Sequence, residues 1–151
     1  MKKKLVYLIV GSIIIVGGGL GTYFYLNPLG DGNEIHAPGT VISDGQLVDA
    51  DSSHEGSGTV QIVQVEANEI EVQFLEVEIT NGPDLFVYLS KKPSFSDPYD
   101  SIGEFIDLGK LTYNSGNFSY IIPSSVQLED YNSVVIYCKQ YSVVFTYATL
   151  E

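Results

Sequence analysis

"GSGTVQIVQVEANEIEVQFLEVEIT", residues 56–80, decides the fold. β-branched and aromatic residues fill it, and Ala67-Asn68 breaks it at the middle, as in two strands joined by a tight turn. We expect a hairpin about Glu66, Ala67, Asn68 and Glu69, pairing Val65 with Ile70, Val63 with Val72 and Val60 with Leu75. Near the turn one face would then carry Val63, Val65, Ile70, Val72 and Phe74. The other would carry Gln64, Glu66, Glu69, Glu71 and Gln73. Farther out the faces exchange, because Val60, Ile62, Leu75, Val77 and Ile79 fall on the second face. Side chains alternate strictly along a strand, so such an exchange calls for a bulge, a strong twist or a bend round a corner. That points to a sandwich or barrel and away from a flat open sheet.

The same signals recur along the chain, and no stretch after residue 40 shows sustained helical spacing. "NGPD", residues 81–84, reads as a turn. "DLFVYLS" follows as a strand with Leu85, Val87 and Leu89 on one face and Phe86 and Tyr88 on the other. After a long polar loop, shorter strands are expected at 105–108, 111–113 and 118–122. The last two run over 133–138 and 141–148. Only Lys139 and Gln140 separate them, which we read as a kink or bulge. The expected fold is all-β: an antiparallel β-sandwich, or partly closed barrel, of roughly 8–10 strands.

An apolar segment precedes this domain. Leu5 to Leu26 carry no charge and follow Lys2, Lys3 and Lys4. As a helix these 22 residues would extend about 33 Å, enough for a bilayer core of about 30 Å. Tyr7, Tyr23 and Tyr25 suit aromatic belts, and the bulky residues 23–26 occupy the place of a signal-peptidase site. The expectation is an uncleaved, single-pass transmembrane helix over residues 1–26, N-terminus cytoplasmic, with the domain extracytoplasmic. "NPLGDGNEIHAPGT" then reads as linker, giving a linker over 27–44 and a domain over 45–151.

Charge narrows the partners. After residue 27 there are four lysines against nineteen acidic side chains. Nucleic acid and anionic lipid need clustered cations, so neither is expected as a partner. The common enzyme motifs are missing: no G-x-S-x-G, no H-E-x-x-H, no P-loop and no C-x-x-C. The acids of 97–107 lack the alternation of a calcium loop. A blue-copper set fails for want of a methionine beyond residue 1. No metal site is expected, nor a stand-alone enzyme. What is left for chemistry is a single cysteine, Cys138, at the end of "SVVIYC", and two histidines, His36 and His54, the first in the linker. A lone cysteine closes no intramolecular disulfide. In a strand it is either a small apolar filler or a thiol exposed by the expected kink, walled by Tyr137 or Tyr141 and with His54 as its polar neighbour.

Five words occur in order: "HEGSGTVQIV" from His54, "NGPDLFVYLS" from Asn81, "IDLGKL" from Ile106, "YIIP" from Tyr120 and "SVVIYCKQYSVVF" from Ser133. Together, over about 45–150, they resemble the DM-thirteen domain, an extracellular module known as the electron-transfer DM domain. The resemblance implies an all-β domain whose characteristic cysteine, here Cys138, acts in redox chemistry as a bare thiol or as ligand to a prosthetic group such as haem. Haem is thus the cofactor the resemblance names; the sequence itself specifies none. By position His54 matches the polar residue before the "SGT" word, and Asp84 matches the Asp of "GPD", where we assign it a structural role. No DOMON domain accompanies the module, so an electron donor would be a separate redox protein or a cell-surface protein. Three functions compete. They are a membrane-tethered redox or electron-transfer module using Cys138, a non-catalytic surface binding or adhesion module with Cys138 as packing, and a haem or metal carrier.

Overall fold

The computed structural model describes residues 29–34 and 36–151. The expected membrane helix lies outside them, and among the described residues no helix is long and apolar enough to cross a membrane. Nine strands form: β1 Gly30–Asn33, β2 Thr40–Asp49, β3 Gly56–Glu66, β4 Glu69–Ile79, β5 Leu85–Ser90, β6 Phe105–Lys110, β7 Tyr113–Ile122, β8 Ser133–Cys138 and β9 Val143–Thr149. They join in one sheet of order β1-β7-β4-β3-β2-β9-β8-β5-β6.

This is one curled sheet, a half-barrel, in place of the two sheets of a sandwich. The cause is β2. Its first part, Thr40 to Gln46, pairs with β3, and its last three residues, Leu47 to Asp49, pair with β9. One strand thus carries hydrogen bonding from one half of the molecule to the other. The inward faces of both halves meet in a single core, in which Val60, Ile62, Val72 and Phe74 share a cluster with Leu85, Val87, Leu89, Val134, Ile136 and Cys138. The sheet is also mixed, since β1 runs parallel to β7. β1 and the start of β2 occupy residues read as linker. Glycines break local structure, but here they permit pairing: a Cβ on Gly32 would lie 2.5 Å from the Asn117 carbonyl oxygen.

The hairpin at Ala67-Asn68 forms, with a register one residue from that expected. Glu66 pairs with Glu69, but Gln64 then pairs with Ile70, leaving Val65 as a bulge. A one-residue slip exchanges the faces of a strand. Val60 and Ile62 therefore stand opposite Phe74 and Val72 on the core side, where Val63 and Val65 were expected. The change of face along β4 falls at Leu75-Glu76. There Glu76 takes φ 49° and its N–H donates to Asn117 Oδ1 at 2.8 Å, after which Val77 and Ile79 return to the core. Gly58, at φ 103°, bulges opposite it. β5 alternates as read, with Leu85, Val87 and Leu89 in the main core and Tyr88 in a second cluster with Phe95, Val135 and Val144.

The end of the chain departs from the expected kink. β8 and β9 form an ordinary hairpin, Cys138 opposite Val143, with residues 139–142 as the turn and Ser142 at φ 54°. The irregularity sits one step earlier, between Ile136 and Tyr137. β7 is likewise continuous where two short strands were expected, accommodating a bend at Gly116, φ 86°.

Candidate functional site: a thiol clamped under a proline loop

Cys138 ends β8, between Leu85 of β5 and Val143 of β9. Its parity with Val134 and Ile136 turns it to the core, and it is 0% exposed. The expected opening to solvent is therefore closed. The reason is the turn: a hairpin that closes directly after Cys138 brings β9 alongside, where a kink would have left the strand end frayed. The sulfur is not left without a partner. Its S–H donates to the Pro83 carbonyl at 3.0 Å. Burial pushes the thiol pKa above its ordinary value; the N–H groups of Tyr141 and Gln140 oppose this, and the Asp84 carboxylate adds to it. Cys138 is thus held as a neutral thiol.

The Gly82-Pro83-Asp84 loop is the lid of this arrangement. Asp84 takes the left-handed conformation, φ 57°, which Asp tolerates better than most residues. Its carbonyl accepts the Lys139 N–H at 3.1 Å. Gly82 lies against Phe145 of β9, so closely that an added Cβ would meet ring carbons at 2.5 and 2.6 Å. Two of the words in the sequence, "GPD" and "YCKQYSVVF", are therefore two halves of one device, bonded through Pro83–Cys138 and Asp84–Lys139 and packed through Gly82–Phe145. What the structure shows of Asp84 is its left-handed backbone and the bond that its carbonyl accepts from Lys139.

His54 also packs against Phe145. Its ring lies 4.5 Å from the Phe145 ring, centroid to centroid, at 59°. Its Nδ1 bonds Asp51 Oδ1 at 2.8 Å. The same oxygen accepts the N–H groups of Ser53 and His54, each at 2.8 Å. These bonds, the Ser53 N–H foremost, lower the Asp51 pKa. The hydrogen-bond partner of the thiol is the Pro83 carbonyl, and His54 is anchored to Asp51, three residues upstream. The spacing Asp51-Ser52-Ser53-His54 is a legible signal for this, because an Asp so placed caps its own turn.

Tyr137 and Tyr141 separate. Tyr137 faces the outer cluster, 5.4 Å from the Tyr88 ring. Lys139 goes the same way: its Nζ lies 3.6 Å from the Phe86 centroid and 2.6 Å from Asp107 Oδ2, so its charge does not help ionise Cys138. Tyr141 is 57% exposed and lines a cleft of about 380 Å³ with His54, Pro83, Tyr99 and Phe145. The cleft and the thiol are neighbours separated by Pro83. Tyr99 and Phe145 of the cleft, and Asp51 behind His54, are the residues that the sequence reading missed.

The donor set does not suit a haem or metal bound through Cys138. Ligation needs a thiolate facing the group, and the sulfur is a neutral thiol that faces the Pro83 carbonyl. Among the described residues no three His, Cys, Asp or Glu side chains group as metal ligands would.

These features define a class: an all-β half-barrel that seals one thiol beneath a Gly-Pro-Asp loop. Residues 46–150 match the family described as Electron transfer DM13, and the chain belongs to that family. No curated protein and no solved structure matches it.

Proposed function

We propose that the chain is a membrane-tethered extracytoplasmic electron-transfer module in which Cys138 is the redox group. Family membership supplies the electron-transfer reading, and the apolar run of residues 5–26 supplies the tether. The observation that carries the role of Cys138 is its bond to Pro83. The thiol is held neutral and shielded at rest by one short loop, against the floor of a cleft open to solvent. Displacement of that loop by a docking partner would uncover it. Oxidation then removes one electron and the S–H proton; the electron passes to a separate redox protein and the proton to water.

A second reading is favoured by the full burial of Cys138 among Leu85, Val143 and the rest of the core. In it the cysteine is packing and the acidic domain is a surface binding module. Redox titration of the full chain with chemical mediators separates the two. The first reading requires electron release to an oxidising mediator that Cys138→Ser abolishes while the melting curve stays cooperative. Equal release by both proteins, or none by either, leaves the binding module.

A further inference from the structure

We infer that the cleft beside Pro83 is a binding site for a small, neutral, planar phenol, of the hydroquinone class, whose hydroxyl donates to His54 Nε2. The inference does not rest on any redox role of Cys138.

The acceptor is set by Asp51. Its lowered pKa keeps it ionised, and a carboxylate only accepts hydrogen bonds. The 2.8 Å contact therefore puts a proton on Nδ1, and in the neutral ring Nε2 carries the lone pair. Packing against Phe145 fixes the plane of the ring. A carboxylate-oriented imidazole at the edge of a cleft is an arrangement that aims an acceptor at a ligand donor.

The walls are aromatic and come from two anchored segments. Tyr99 is 72% exposed, yet its backbone is pinned: its N–H donates to Asp97 Oδ1 at 2.8 Å, and the preceding Pro98 carbonyl accepts the Val144 N–H at 2.8 Å. Tyr141, 57% exposed, is held in the 139–142 turn. Two rings so exposed on fixed backbone have faces free for stacking. The cleft volume of about 380 Å³ is at the small end of the range of about 300–1,000 Å³ usual for ligand sites, which suits one or two fused rings. Anions are disfavoured by Asp51 and by the net negative charge of −12.

The test is a titration of the full chain with 4-methylphenol and with 4-methylanisole, its methyl ether, followed by NMR signals of the His54 and Tyr99 rings. In the unaltered protein both probes shift these signals saturably, and the phenol binds about three- to tenfold more tightly, as one hydrogen bond allows. His54→Phe, which keeps a ring against Phe145, brings the phenol down to the level of the ether. Tyr99→Ala, at a position too exposed to unfold the domain, weakens both probes. Equal affinity for phenol and ether in the unaltered protein, absence of saturable shifts, or indifference to Tyr99→Ala would overturn the proposal.

Discussion

At Cys138 the decisive quantity is the difference between the folded and unfolded environments of one sulfur. Burial raises the folded pKa above the unfolded value of about 8.5. The folded protein thus keeps a proton that the unfolded chain gives up. Stability from this source is complete below the unfolded value and is lost as pH rises through the window above it. Denaturation followed from pH 7.5 to 10 should show a fall in stability that begins near 8.5 and is shallower in Cys138→Ala. That variant should cost about 1–2 kcal/mol at neutral pH, for lost contacts and a small cavity. An unchanged alkaline slope would show that the sulfur is not shielded. Asp84 invites a second residue-scale test. A side chain at φ 57° carries about 1–2 kcal/mol of strain for an ordinary L-residue. Asp84→Ala should therefore lower the melting temperature, and Asp84→Gly should match or exceed the unaltered protein. A loss in Asp84→Gly as large as that in Asp84→Ala would place the value of Asp84 in its carboxylate.

Between elements, the important joint is that of the Gly-Pro-Asp loop with the β8–β9 hairpin. Each contact in it uses a different property: Gly82 has no Cβ to strike Phe145, Pro83 offers a carbonyl to the thiol, and Asp84 accepts a left-handed backbone. Gly82→Ala should push the loop from Phe145, which is itself buried and has little room to yield. We expect destabilisation of about 1–3 kcal/mol, as for other overpacked sites, and faster alkylation of native Cys138. Adding Phe145→Leu should recover part of both effects, since residues in contact do not act additively. If labelling in Gly82→Ala stays as slow as in the unaltered protein, the loop is not what covers the sulfur.

Across the whole molecule the charge is one-sided, and three lysines of the described residues are already engaged. Lys91 reaches Glu104 and Asp130. Lys92 donates to the Ser101 carbonyl at 2.9 Å, and Lys139 pairs with Asp107. Most acids face water without such a partner cation, so self-repulsion should outweigh the ion pairs. Screening weakens both, and the more numerous repulsive terms gain more from it. The melting temperature should therefore rise between about 20 and 300 mM salt, a range over which the Debye length falls from about 20 to 6 Å. A fall would mean that the three lysine pairings dominate the electrostatics.

The sequence by itself determined what depends on local chemistry. Alternation fixed the two faces of β5, the turn residues fixed the hairpin at Ala67-Asn68, and parity turned Cys138 inward beside Val134 and Ile136. Ordered words were enough to recognise the family. Only the tertiary structure decided the rest, because each remaining feature depends on partners distant along the chain. The register of β3 on β4 follows from bulges at Val65, Gly58 and Glu76, which let both strands present apolar residues to one core. Gly30 to Asn33 form a strand only because β7 offers an edge. β2 joins the halves into one sheet because its two ends meet different neighbours. The placing of Pro83 over Cys138, and of His54 with Asp51 instead, required the loop, the hairpin and Phe145 together in space. Periodicity reports which side of a strand faces the core; it carries no information on what covers that side.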